Sequence, residues 1–240
     1  MKFVFSYVAF IAMTALYAQS YVDSGIRHYA AGEFEEALID FKDAADIESM
    51  ITESSRAKLY FYRGMIWLSR AEKSPNGFPE TDPLKLSYED LTKVLSMDNS
   101  WKAQIDDAYS RLFSLIMDEA DNYLKQAKKE DALDQKLELL DSRNEFLDLA
   151  VDLDISAMPT LYLAQTNKQA GDLIFEGSKD FKELQVAKKY YEESLKHFEQ
   201  ARYEDPFSKK IIQDLLTIST RLGDSDRIDE YNKLLELAGG

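Results

Sequence analysis

The segment from Tyr21 to Ser49, YVDSGIRHYAAGEFEEALIDFKDAADIES, sets apolar positions three and four apart on either side of Gly32. That spacing predicts two short amphipathic helices with a turn at the glycine. Gly25 in the first and Ala37 in the second lack bulk where the helices would meet, and Phe41 fills the space beside them. The same spacing returns in a helix from about Thr52 to Ala71, where Tyr60, Gly64 and Trp67 stand as Tyr21, Gly25 and His28 do. Its partner, SYEDLTKVLSMD, starts at Ser87 and turns Leu91 and Val94 inward. Between them lies Lys73 to Pro83, KSPNGFPETDP, with three prolines and an Asn-Gly pair. It reads as an insertion in the turn of the second pair, either a functional loop or a tolerated surface one.

Further along, WKAQIDDAYSRLFSLIMDEADNYLKQAKK predicts one long amphipathic helix from Ser100 to about Lys129. Its partner runs from about Ala132 to Leu153, with Ala150 as the small residue, and both exceed the length of the first pair. The fourth pair opens at Ser156 and places Ala164 at the small position. Gly171 then falls where the first pair turns, but the apolar pattern continues through Leu173, Ile174 and Phe175 to Gly177. A second helix from about Lys179 closes on HFEQARYEDP, with Phe198, Ala201 and Pro206 in step. The last segment reads as helix, turn, helix: Gly223 suits a left-handed cap, Asp224 or Ser225 can start the next helix, and Gly239 and Gly240 end it. The expectation is ten helices in five pairs.

The first pair resembles a tetratricopeptide repeat (TPR), whose pattern is W-x2-L-G-x2-Y, then A-x3-F, then P, within about 34 residues. Tyr21, Gly25, Ala37, Phe41 and Ala44 stand at that spacing, whereas Ser24, His28 and Ser49 replace Leu, Tyr and Pro. The resemblance covers nearly all of the chain after its amino-terminal run and is weakest in the third pair. It implies an all-α, TPR-like solenoid of helical hairpins, five antiparallel pairs with an elongated central one, forming a single domain over residues 19–240. In that family the first helix of each pair lines a concave surface. The resemblance therefore offers Phe61, Tyr62, Met65 and Leu68 from the second pair, and Leu161, Tyr162, Gln165 and Lys168 from the fourth, as partner-binding candidates. The other reading of the same residues is packing against the long third hairpin. Where TPRs that grip a carboxyl terminus place a Lys and Asn clamp, the first pair has Val22 and Ile26, so that activity is not expected.

Composition narrows the function. In 240 residues there are nine Gly and five Pro, too few breakers for an all-β fold. Lys and Arg number 29 against 44 Asp and Glu, a net charge of -15, which disfavours nucleic-acid backbones as partners. The absence of cysteine removes disulfides, thiolate nucleophiles and Cys-based zinc sites. Residues 1–18, MKFVFSYVAFIAMTALYA, carry one Lys and then 16 uncharged, mainly apolar residues. A spanning helix needs roughly 20, so the run is expected to be a cleaved secretory signal, cut after Ala18 or as late as Ser20, leaving no other membrane span and a periplasmic or secreted protein.

Catalytic chemistry finds little purchase. His28 stands at an interhelical packing position and His197 beside inward Phe198 reads as a solvated helix residue. The adjacent carboxylates Glu35 and Glu36, and Asp106 and Asp107, diverge on a helix and read as a solvated face. The run GDSDRID from Gly223 lacks the later ligands of a calcium loop and reads as a turn and cap. No cofactor, metal or catalytic residue is expected, and the function expected is exported, non-enzymatic binding of a protein or peptide. The alternatives are a structural subunit of a cell-envelope assembly, a glycan- or small-molecule-binding protein using the aromatic groove, and an enzyme built on carboxylates.

Overall fold

A computed structural model describes residues 2–73, 82–153, 158–177 and 181–239, with side chains from residue 16 to residue 238. Most of the Lys73 to Pro83 insertion and the Ile155 and Lys179 positions lie outside the described residues. Among those described, every regular element is helical. The ten α-helices follow the expected order, and the chain divides into two compact units, Met1–Leu115 and Ile116–Gly240.

The first unit holds α1 (Lys2–Ala31), α2 (Phe34–Asp46), α3 (Glu53–Lys73), α4 (Pro83–Met97) and the beginning of α5 (Lys102–Ala127). Gly32 adopts φ 79°, a left-handed conformation that costs a residue without Cβ little. Its N–H reaches the Tyr29 carbonyl at 3.0 Å, Glu33 N–H reaches that of His28 at 2.9 Å, and α2 starts at once. Ala37, Phe41 and Ala44 are fully buried, as the spacing predicts. An ideal Cβ on Gly25 would stand 2.6 Å from Phe41 Cε1, and one on Gly64 3.0 Å from Leu91 Cγ. A side chain at position 25 would displace the Phe41 ring, and one at position 64 would press on Leu91.

Helix α4 begins earlier than its apolar pattern indicates. Asp82 caps it, its carboxylate accepting from Leu84 N–H at 3.0 Å and Lys85 N–H at 3.2 Å, with Pro83 next. Proline reads as a breaker in sequence, but at the first helical position its missing N–H would have had no partner anyway. Across the α3–α4 contact, Arg63 Nε and Nη2 each donate to the Asp90 carboxylate at 2.7 Å. The fork-to-fork geometry satisfies a carboxylate whose side chain is only 4% exposed.

The second unit takes the end of α5 with α6 (Leu133–Leu153), α7 (Met158–Gly177), α8 (Phe181–Glu204), α9 (Lys209–Leu222) and α10 (Ser225–Gly239). The central pair is elongated, at 26 and 21 residues, and α7 and α8 share the extension at 20 and 24. Because α7 runs past Gly171, that glycine becomes a second crossing point. A Cβ there would lie 2.8 Å from Tyr191 Cε1, and Tyr191 fills the added length. Gly223 ends α9 in the left-handed region at φ 73°, and Asp224 caps α10 by accepting from Arg227 N–H at 3.1 Å. Among the described residues, this unit's core includes a cluster around Tyr191, Phe198, Leu215 and Tyr231, one around Ala120, Leu147 and Leu163, and one around Ala127, Leu140 and Ala170.

Gly25→Ala and Gly171→Ala are expected to lower the melting temperature, each costing about 1–3 kcal/mol because an aromatic ring must leave its place. Gly177→Ala is the control, since nothing lies within 4 Å of a Cβ built there. Thermal unfolding followed by circular dichroism measures all three, and equal melting of the Gly25 and control variants would contradict the crossing.

Candidate binding surfaces

The candidates of the first unit do not share one environment. Leu68 is fully buried and Phe61 8% exposed, so both belong to packing, while Tyr62 and Met65 are half-buried. Phe61 meets the Trp101 ring at 4.3 Å between centroids, just before α5, and Tyr62 lies edge-on to the same indole at 6.2 Å. Tyr62 also meets Tyr29 of α1 at 5.0 Å, and Tyr29 stacks on Phe34 at 5.7 Å. Tyr29, Tyr62 and Trp101, each half-buried, thus form a run of rings contributed by α1, α3 and the segment leading into α5. Rings held this way lose little entropy on binding and offer wide apolar faces. Burial, reinforced by Tyr62, raises the Tyr29 hydroxyl above its ordinary pKa.

Its charged rim is internally paired. Arg70 binds Glu35 and its guanidinium covers the Trp67 ring at 4.9 Å; Arg111 Nη2 donates to Glu72 at 2.6 Å. Tyr60 lies elsewhere on α3, its hydroxyl donating to Glu48 at 2.6 Å, and burial with that bond pushes its pKa up to about 12.

In the second unit, half-buried Leu161 packs against the cluster around Tyr191 and Phe198. Tyr162, also half-buried, packs beside Leu147 and Leu163 with the Arg143 guanidinium 5.8 Å from its ring centre. Gln165 and Lys168 open instead into a cleft of about 340 Å³ between α7 and α9. Gln169, Asp172, Leu173, Glu176, Lys210 and Asp214 complete its walls. Lys168 Nζ donates to Asp172 at 3.1 Å and stands 3.9 Å from Asp214, while Tyr191 Oη donates to the other oxygen of Asp172 at 2.7 Å. The cleft was half visible in sequence. Its α9 wall has a signal of its own, Lys210 and Asp214 four apart on one helix face, but nothing in the repeat pattern singles that pair out.

Two further polar groups have no counterpart in the repeat pattern. Arg143, 5% exposed, donates from Nη1 to Thr166 Oγ1 at 2.7 Å, and Asn144 Nδ2 donates to Asn167 at 3.0 Å, tying α6 to α7. Desolvation pulls the Arg143 pKa below its usual value, with Asp121 opposing it from 4.0 Å.

Both histidines differ from their sequence readings. His28 does not pack as an interhelical aromatic: its side chain is 36% exposed, Nδ1 is 2.6 Å from Glu33 and Nε2 3.6 Å from Asp40. Tyr29, next to it, takes the aromatic contacts. His197 is not solvated; its side chain is 15% exposed and Nδ1 is buried without a hydrogen-bond partner among the described residues. The carboxylate pairs diverge as expected. Asp106 turns to Lys102 at 2.8 Å and Asp107 to Arg111 at 3.9 Å. Among the described residues no group of three or more His, Asp or Glu is placed to hold a metal ion.

No protein-family model and no curated protein matches the chain. Two solved structures of MamA are similar to it. One has 14% identity over 92% of this chain and 91% of its own, with a TM-score of 0.30. The other has 15% identity over 90% and 94%, with a TM-score of 0.26. Likeness of that size carries no weight for fold or function, and the hairpin architecture rests on the helices and contacts above.

Burial is the main reason that the His197 pKa lies below its ordinary value, followed by Lys196, with Asp148 and Glu193 pulling it up. The unfolded chain therefore takes the proton more readily. Stability from this group is complete above the unfolded value of about 6.5 and is lost as pH falls through the folded one. Melting temperature should drop from about pH 7.5 to about pH 5.5 in the wild type and drop less steeply in His197→Gln. Parallel slopes would show that His197 does not report burial.

Proposed function

We propose that this chain is an exported, non-enzymatic scaffold that binds a protein or peptide, using a first-helix surface in each unit. The run of rings Tyr29, Tyr62 and Trp101 carries the reading: three half-buried aromatics from separate segments converge on one face with polar residues at its edge. Core aromatics such as Phe41 and Phe198 are fully buried and contribute to packing alone. In the second unit Tyr162 and the Lys168 cleft are the corresponding surface. Nucleic acid remains an unsuitable partner for a chain of net charge -15.

Export rests on the apolar run before Ala18. Among the described residues no helix is long and apolar enough to cross a membrane. Leu16 and Tyr17 are 71% and 61% exposed, Ala18 is fully buried, and Gln19 accepts a hydrogen bond from Ser55 Oγ at 2.5 Å. Cleavage after Ala18 keeps that bond, whereas cleavage after Ser20 removes it. Intact mass of the mature protein is expected to correspond to a chain starting at Gln19. A full-length mass in the membrane fraction would mean an uncleaved anchor.

For the binding surface, Tyr62→Ala and Tyr162→Ala are each expected to weaken retention of the partner captured from the cell envelope, with a loss of at least about 2 kcal/mol where a hot spot is removed. The melting curve is measured beside it. Lost retention with unchanged melting supports the surface; lost fold with lost retention returns that tyrosine to the core; unchanged retention in both variants rejects both surfaces.

A further inference from the structure

We infer that the α7–α9 cleft recognises a basic side chain of an extended peptide, with Asp214 as its counter-charge and Gln165 and Gln169 as its backbone contacts. This rests on the peptide-binding reading above and specifies what its second-unit site accepts. Asp214 has a side chain only 23% exposed and lines the cavity. Among the described residues its carboxylate accepts no hydrogen bond; Lys168 Nζ, at 3.9 Å, lies beyond bonding range. Lys168 is instead bonded to Asp172, which also takes the Tyr191 hydroxyl. Asp172 thus takes two donors, whereas Asp214 has only the Lys168 ammonium beside it at 3.9 Å. Burial correspondingly raises the Asp214 pKa, against the opposing pull of Lys168 and Lys210. A carboxylate largely withdrawn from water with no donor in hydrogen-bonding range gains from an entering guanidinium or ammonium, which brings such donors.

The remaining walls agree with that occupant. Asp172, Glu176 and Asp214 face Lys168 and Lys210, so the cleft has one carboxylate in excess, within a chain of net charge -15. Gln165 and Gln169 are one helical turn apart on α7, and each amide presents both a donor and an acceptor, the pair of groups that a peptide bond needs. An acidic side chain would meet three carboxylates against two ammonium groups, of which Lys168 is already bonded to Asp172.

The test is fluorescence anisotropy of labelled Gly-Ser peptides bearing one central Arg, Lys, citrulline or Glu, at about 0.15 M salt to screen exposed charges. Expected are saturable binding of the Arg and Lys peptides and at least about tenfold weaker binding of the citrulline and Glu peptides, as the loss of a charge-assisted bond implies. Asp214→Asn should remove that preference, while Glu204→Gln, an equal change in net charge at an exposed site, should keep it. Equal weakening by both substitutions would reduce the effect to net charge and overturn the inference, as would an Asp214→Asn protein that still prefers Arg to citrulline. No saturable binding of the Arg peptide by the wild type overturns it too. If the tyrosine variants lose a captured partner that Asp214→Asn retains, scaffold binding stands and this inference alone fails.

Discussion

Everything in this fold depends on two helices coming closer than ordinary side chains allow. At Gly25 against Phe41 and Gly171 against Tyr191 a Cβ would overlap the ring on the next helix, and at Gly64 it would press tightly on Leu91. The glycine by itself weakens a helix by roughly 1 kcal/mol relative to alanine. What compensates is the ring or leucine laid over it, fully or almost fully buried in every case. The second helix of the first four pairs repeats this logic. Phe41, Leu91, Leu147 and Phe198 each precede a small or compact residue, Ala44, Val94, Ala150 or Ala201, by three positions, and all eight are at most 2% exposed.

That repetition explains how much was legible in sequence. A glycine four residues after a tyrosine, followed by Ala-x3-Phe, locates both helices, the crossing and the turn, because close approach restricts the residue types allowed. Helix ends were legible where a special backbone conformation dictates the residue, as at Gly32 and Gly223. The start of α4 was not, since Pro83 carries opposite meanings as a breaker and as a first helical residue, and the Asp82 cap decides between them. Surface sites were legible only in part. Position on a first helix does not separate Phe61 and Leu68, which are core, from Tyr62 and Lys168, which are not. Exposure there depends on what the next pair supplies, Trp101 in one unit and α9 in the other.

Seven residues before those same small positions stand Ala37, Ser87, Arg143 and Ser194, all buried. The serines fill the space that Ala37 fills and add a hydrogen bond to the facing helix. Ser87 Oγ donates to the Gly64 carbonyl at 3.0 Å and Ser194 Oγ to that of Ala164 at 2.6 Å. A hydroxyl buried there is satisfied only because the small residue opposite leaves its carbonyl reachable. Arg143 breaks the series. Too long for the crossing, it reaches α7 and Thr166 instead, which is why the third pair resembles the repeat least although Leu147 and Ala150 keep its register.

Charge serves a different purpose from this packing. Among the described residues, Arg63 with Asp90 is the ion pair between helices in which a nearly buried carboxylate receives two short bonds, and replacing one partner there would strand the other. Pairs such as Arg70 with Glu35, Arg202 with Glu230 and Arg227 with Glu199 have a carboxylate 35% or more exposed and contribute little individually. Each cancels one charge of either sign and leaves the acid excess unchanged. With 44 acidic residues against 29 basic ones, the field seen by an approaching molecule is on balance negative. Such a field accelerates encounter with a positively charged partner and slows encounter with an acidic one, while affinity is decided at close range by rings and by desolvated carboxylates. On the proposed binding function, the two requirements are separated: excess charge would select the approaching partner and a few preorganised side chains would retain it.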